Sequence, residues 1–103
     1  MINWTQVVGF DWDDGNSRKN AEKHGVNQSE AEAVFFNEPL LVLEDKKHSL
    51  DEHRFHALGQ TDDARLVHVT FTLRNCNSLI RVISARDMHR KERAAYEQHK
   101  RNS

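Results

Sequence analysis

The sequence predicts an α+β fold: two early helices, an antiparallel sheet through the middle, and a basic helix closing the chain. Residues 66–73 and 79–84 are aliphatic and β-branched runs separated by Arg74-Asn75-Cys76-Asn77-Ser78. That linker has hairpin-turn chemistry, so the two runs should pair antiparallel. Ahead of them, residues 13–37 carry two helix starts and one clean stop. Behind them, residues 85–97 are rich in Arg, Lys, Glu and Ala, which lose little on entering a helix.

A chain of 103 residues suffices for one modest domain, expected to span residues 1–103 around one core. With 37% hydrophobic and 30% charged residues, that core must be built economically. No apolar run approaches the roughly 18 residues needed to span a membrane. Met1-Ile2-Asn3-Trp4 lacks the basic-then-apolar pattern of a secretory leader. The single Cys76 cannot close an internal disulfide, which fits a reducing, cytoplasmic setting. The net charge of −1 hides a partition. Residues 1–64 hold 6 Lys/Arg against 13 Asp/Glu, whereas residues 65–103 hold 9 against 3. An acidic side and an anion-binding side are expected, with RNA, DNA or an acidic protein as partner.

In chain order, Val7 to Trp12 reads as a short strand, with Gly9 marking a bulge or a close contact. Asp13 and Asp14 offer capping carboxylates to a helix over 16–23. Gly25 suits the left-handed position after that helix, with Val26 touching Ala21. Lys23 and His24 then fall on its last turn, where cations meet the helix dipole favourably. Asn27 and Glu30 form a capping-box pair for the next helix, whose Ala31, Val34 and Phe35 make an apolar stripe ended by Pro39. Leu40 to Leu43 is a short buried strand, and Asp45 to Glu52 a charged, mobile connection.

The remaining strands show period-two alternation. Phe55, Ala57, Val67, Val69 and Phe71 define a face for the helices to cover. If Ile80 and Val82 point the same way, the opposite face carries Arg54, His56, His68, Thr70 and Arg81 with no matching carboxylates. A cation inside a strand is costly to desolvate, so Arg81 should meet solvent, a partner or an anionic ligand. Such a basic, His-bearing face suits an oligonucleotide backbone. The strand is expected to end at Ser84, placing Arg86 at the junction with the last helix. No metal site is expected: His53 and His56 point to opposite faces, and there is no second Cys, HExxH, P-loop or dinucleotide fingerprint.

Phe10-Asp11-Trp12-Asp13, Asn20, Lys23-His24-Gly25-Val26, Arg54 ahead of Gly59, Arg81-Val82-Ile83-Ser84-Ala85-Arg86, Glu92 and Tyr96 together resemble the BrnT family, over residues 8–97. These are toxins of type II toxin–antitoxin systems, related in fold to RelE-like ribonucleases. Two positions depart from the family pattern. Asn16 stands where a Lys is usual, and His89 stands where a Thr usually caps the last helix, leaving Asp87 as the alternative cap.

The resemblance implies an endoribonuclease held inactive by a cognate antitoxin, with operator DNA met only through that antitoxin and no membrane contact. No cofactor is implied, and the reaction would be metal-independent attack of a ribose 2′-hydroxyl on the adjacent phosphate. Arg54, Arg81 and Arg86 would stabilise phosphoryl charge. His24, His56 or His68 would move protons. Lys23, His68, Arg90 and Lys91 would contact RNA; Tyr96, on a helix face shared with Met88 or Ala95, should by its placement seat the last helix against the sheet. The alternative is a catalytically silent module that uses the same surface to hold its antitoxin.

Overall fold

The computed structural model describes residues 2–48 and 52–102. A 3₁₀ turn at Trp4–Gln6 leads into β1 (Gly9–Phe10), followed by α1 (Asp14–His24), α2 (Gln28–Val34), β2 (Leu41–Glu44), β3 (Arg54–Gln60), β4 (Leu66–Arg74), β5 (Leu79–Asp87) and α3 (Arg90–Arg101). Of the connection expected over Asp45 to Glu52, residues 49–51 lie outside the described residues.

The capping signals act as their chemistry requires. The Asp13 carboxylate accepts the Asn16 N–H at 2.7 Å, so α1 starts earlier than residue 16. Gly25 ends it in the left-handed conformation at φ 68°, its N–H bonded to the Ala21 carbonyl. Asn27 and Glu30 close a reciprocal capping box at the start of α2. At the other end of the sheet, Asn75, Cys76 and Asn77 all take positive φ in the β4–β5 turn.

Among the described residues, five strands lie in the order β1-β5-β4-β3-β2. β2 to β5 form the expected antiparallel meander, but β1 pairs parallel with β5 through Gly9–Leu79 and Phe10–Ile80. The sheet is therefore mixed. About two-thirds of the chain separates β1 from its partner, so no hairpin fixes its direction. β5 runs on to Asp87 instead of stopping at Ser84, and it contains a bulge: Thr70 and Phe71 are consecutive in β4 yet oppose Ser84 and Val82, leaving Ile83 as the extra residue.

Phe55, Ala57, Val67, Val69, Phe71, Ile80, Val82 and Ala85 share one buried core with Val26, Ala31 and Val34. α2 presses close on β3 here: a Cβ on Gly59 would lie 2.7 Å from a Val34 methyl. On the other face, Leu58, Met88 and Tyr96 form a smaller core with Leu41 and Leu66, seating α3. Tyr96 is fully buried, and its hydroxyl donates to the Pro39 carbonyl at 2.7 Å.

β1 covers β5 only as far as Ile80, and beyond it α1 takes over that edge. Asn16 donates to the Val82 carbonyl at 2.9 Å. One turn later, Asn20 accepts the Ala85 N–H at 2.8 Å and donates to the Ala85 and Val26 carbonyls. Two side-chain amides thus stand in for a missing strand. Among the described residues, no helix is long and apolar enough to cross a membrane.

Candidate active site

The register sorts the polar face into three rows. Arg54, Thr72 and Arg81 lie side by side; His56, Thr70 and Ser84 form the next row; Leu58, His68 and Arg86 the third. Rows on one face repeat every two residues, about 7 Å along the strand. The bulge brings Arg81 and Arg86 to the same face: five residues apart, they would point oppositely in a regular strand. Both reach that face within one strand, since β5 runs on to Asp87.

The middle and third rows line a cleft of about 340 Å³, walled by Leu43, His56, Leu58, His68, Thr70, Arg86 and Glu92. His56 and His68 lie with ring centroids 4.9 Å apart. His56 Nε2 is 2.9 Å from Asp45 Oδ2, and its Nδ1 is 3.2 Å from Thr70 Oγ1. His68 sits deeper, its side chain 7% exposed, with Nε2 3.8 Å from Glu92. Burial, and after it the charge of Arg86, pushes the His68 pKa down to about 4, so the ring is neutral at pH 7.

Carboxylates match this face, contrary to expectation. Arg86 grips Glu92 through two bonds of 2.8 and 2.9 Å. Arg81 donates to Asp13 at 2.6 Å and to the Asp11 carbonyl at 3.3 Å. Alternation along the strands could not show these partners, because they come from elsewhere: Asp13 caps α1, Asp45 follows β2, and Glu92 sits in the first turn of α3. Burial opposes ionisation of Glu92, yet Arg86 and the His89 N–H hold its pKa down at about 2. Asp13 lies below its ordinary range chiefly through its bond to Arg81.

Arg86 still has capacity. Of the five N–H donors of a guanidinium, three serve Glu92 and the Asp87 carbonyl. Among the described residues, the Nε–H and one Nη2–H are uncommitted, and together they make a side-on fork for an anion.

A family model described as ribonuclease toxin, BrnT, of type II toxin–antitoxin system matches residues 12–92. The chain belongs to the BrnT family. The crystal structure of the Brucella abortus ribonuclease toxin BrnT shares its fold, with a TM-score of 0.61 at 21% identity over 82% of this chain and 100% of that one. No curated protein matches.

Much of what carries the BrnT resemblance holds the fold together. Trp12 Nε1 donates to Glu32 at 2.7 Å, tying the start of α1 to α2. Asn16, in place of the family's usual Lys, bonds to β5. His89 occupies the N-cap of α3 and gives its backbone N–H to Glu92 at 2.8 Å. Asp87 does not cap that helix, because Arg65 holds it while also reaching Glu30 and the Gly25 carbonyl. Arg65 draws Asp87 below its ordinary pKa and is itself raised.

The structure therefore gathers Arg54, His56, His68, Arg81 and Arg86 on one face. Arg90 and Lys91 lie exposed on the first turn of α3, next to Glu92. Lys23 and His24 end α1, and their side chains make no hydrogen bond or ion pair with this cluster among the described residues. Asp45 was not legible as a site residue, since its segment reads as a charged connection. The available signal was its parity with Leu43, two residues before it on the same face. No group of three or more His, Cys, Asp or Glu residues among the described ones is arranged to hold a metal ion.

Proposed function

We propose that this BrnT-family chain is an endoribonuclease that cleaves RNA by internal attack of a 2′-hydroxyl, and that a protein antitoxin restrains it. The observation that carries the reading is one cleft offering both a histidine, His56, and a guanidinium with an open fork, Arg86. The family description supplies the reaction class.

His56 takes the 2′ proton as the 2′ oxygen bonds to phosphorus. Charge building on the non-bridging oxygens meets the free fork of Arg86. The bond from phosphorus to the 5′ oxygen breaks, and that oxygen leaves with a proton returned from imidazolium or water. A 2′,3′-cyclic phosphate and a 5′-hydroxyl remain. Glu92 keeps the Arg86 plane fixed, so little reorganisation is needed at the transition state. Arg54 and Arg81, about 7–14 Å further along the strands, would hold the flanking backbone. Arg90 and Lys91 would guide the strand in from α3. The antitoxin would block cleavage by covering this face, and operator DNA would be reached through the antitoxin.

The test is purified protein with a short labelled RNA and the same RNA carrying one 2′-deoxy substitution. Expected are cyclic-phosphate ends, protection at the substituted position, and losses of roughly 10²–10³-fold for His56→Ala and Arg86→Lys. Equal cutting of the 2′-deoxy substrate refutes the mechanism. The pairing of Arg81 and Arg86 with carboxylates favours one other reading, the silent antitoxin-binding module. Intact RNA together with tight antitoxin binding would establish it.

A further inference from the structure

We infer that Asp45 is a positioning residue for His56: its carboxylate holds the ring with the proton on Nε2 and the Nδ1 lone pair turned to Thr70 and the cleft. In catalysis this is a role that presupposes the ribonuclease reading above.

The placement follows from the strand ladder. Asp45 N–H bonds to the Arg54 carbonyl at 2.7 Å, so pairing continues one step beyond β2. Asp45 therefore shares a face with Leu43 and stands diagonal to His56, within reach of a short side chain. Its carboxylate is 9% exposed and is held from several sides. The His48 N–H donates to Oδ1 at 3.1 Å, the His48 ring lies 3.2 and 3.0 Å from the two oxygens, and His56 Nε2 lies 2.9 Å from Oδ2. Burial opposes its ionisation, but these donors keep its pKa below the ordinary carboxylate value.

An ionised carboxylate can only accept hydrogen bonds, so Nε2 of His56 must carry the hydrogen. In the neutral ring Nδ1 is then an acceptor, and the Thr70 hydroxyl, 3.2 Å away, must donate to it. Thr70 thereby marks where a substrate hydroxyl would place its proton. When the 2′ proton moves to Nδ1 the ring becomes imidazolium, and the Asp45 carboxylate already faces its other N–H. The carboxylate need not take a proton to do this. The charged and titratable groups around His56 are Asp45 and His48 after β2, Arg54 on β3, His68 on β4, Arg86 on β5 and Glu92 on α3. Most are cationic or can become so, and among the described residues Asp45 is the carboxylate bonded to the ring.

Asp45→Asn removes the charge at nearly constant shape. On a short RNA, kcat should fall about 10²–10³-fold with KM little changed. The acidic limb of the kcat/KM profile should move to lower pH, because the imidazolium loses its anion. Nitrogen-15 NMR of the histidines should show a protonated Nε2 on His56 in the wild type and mixed tautomers in Asp45→Asn. Suppose wild type cleaves RNA, His56→Ala does not, and Asp45→Asn keeps the wild-type kcat and pH profile. Then Asp45 does not position the base, while the ribonuclease reading stands. A lower Tm in Asp45→Asn with unchanged kcat per folded molecule overturns the inference equally. Should the wild type leave RNA intact, the ribonuclease reading falls and the nitrogen spectrum decides the rest. Tautomers already mixed in the wild type overturn the positioning; an Nε2–H that scrambles only in Asp45→Asn upholds it.

Discussion

Replacing Asn20 by Ala would strip α1 of the side chain that closes the outer edge of β5. Three hydrogen bonds would go: from the Ala85 N–H at 2.8 Å, and to the Ala85 and Val26 carbonyls at 2.9 and 3.0 Å. Ala85 and Val26 are fully buried, so the stranded groups have no direct access to solvent. Each unsatisfied buried group costs roughly 1–3 kcal/mol. A water admitted into the vacated space would satisfy one or two of them. The expected loss is therefore about 3–5 kcal/mol, a large share of the roughly 5–15 kcal/mol that holds a domain folded. At about 4 °C or more per kcal/mol, Tm should drop by at least about 12 °C. Urea unfolding followed by circular dichroism measures this, with an unchanged m value marking a shift in stability alone. Asn16→Ala, which removes one partly exposed bond, should lose only about 1 kcal/mol. If Asn20→Ala costs no more than Asn16→Ala, water satisfies this edge and the amide pair does not close it.

Three further outcomes are expected. As pH falls from 6.5 toward 4, the unfolded chain protonates His68 while the folded chain does not, so stability drops by roughly 3 kcal/mol over that window; His68→Gln should flatten the slope in pH-dependent urea melts. Glu92 behaves as a depressed carboxylate: its contribution is complete above about 4.5 and fades as pH falls toward about 2, so the stability gap between wild type and Glu92→Gln should shrink across that range. Tyr96→Phe removes one bond to the Pro39 carbonyl and should cost about 1 kcal/mol, whereas Tyr96→Ala empties a buried ring site and should cost about 3–5 kcal/mol; RNA cleavage per folded molecule should hold in the Phe variant.

Local chemistry made much of the fold readable. Asn27 with Glu30, Gly25 after His24, and Asn75-Cys76-Asn77 between two apolar runs each fix backbone geometry through neighbours a few residues away. Period-two alternation placed Phe55, Val67, Val69 and Phe71 together and put His56 and His68 on the opposite face. What escaped depends on distant partners. The parallel pairing of β1 joins residues 9–10 to 79–80. The edge of β5 is completed by Asn16 and Asn20, some 65 residues upstream. The carboxylates facing Arg81, Arg86 and His56 come from the cap of one helix, the first turn of another and the end of a strand. The bulge at Ile83 left no local mark, because Ile-Ser-Ala reads as ordinary strand.

That bulge gives the interval between Arg81 and Arg86 a meaning beyond the identity of its residues. Its length decides on which side of the sheet each guanidinium emerges. Inserting one residue beside the bulge, or straightening the bulge at constant length, would turn one end of the strand over and drive either Arg81 or Arg86 toward Phe71 and Val69, whereas deleting Ile83 would restore a regular strand with both on one face. Single-residue insertions inside this segment should therefore be rarer among functional relatives than loss of the one bulge residue. For anyone grafting this face onto another sheet, the spacing is as much a part of the graft as the side chains.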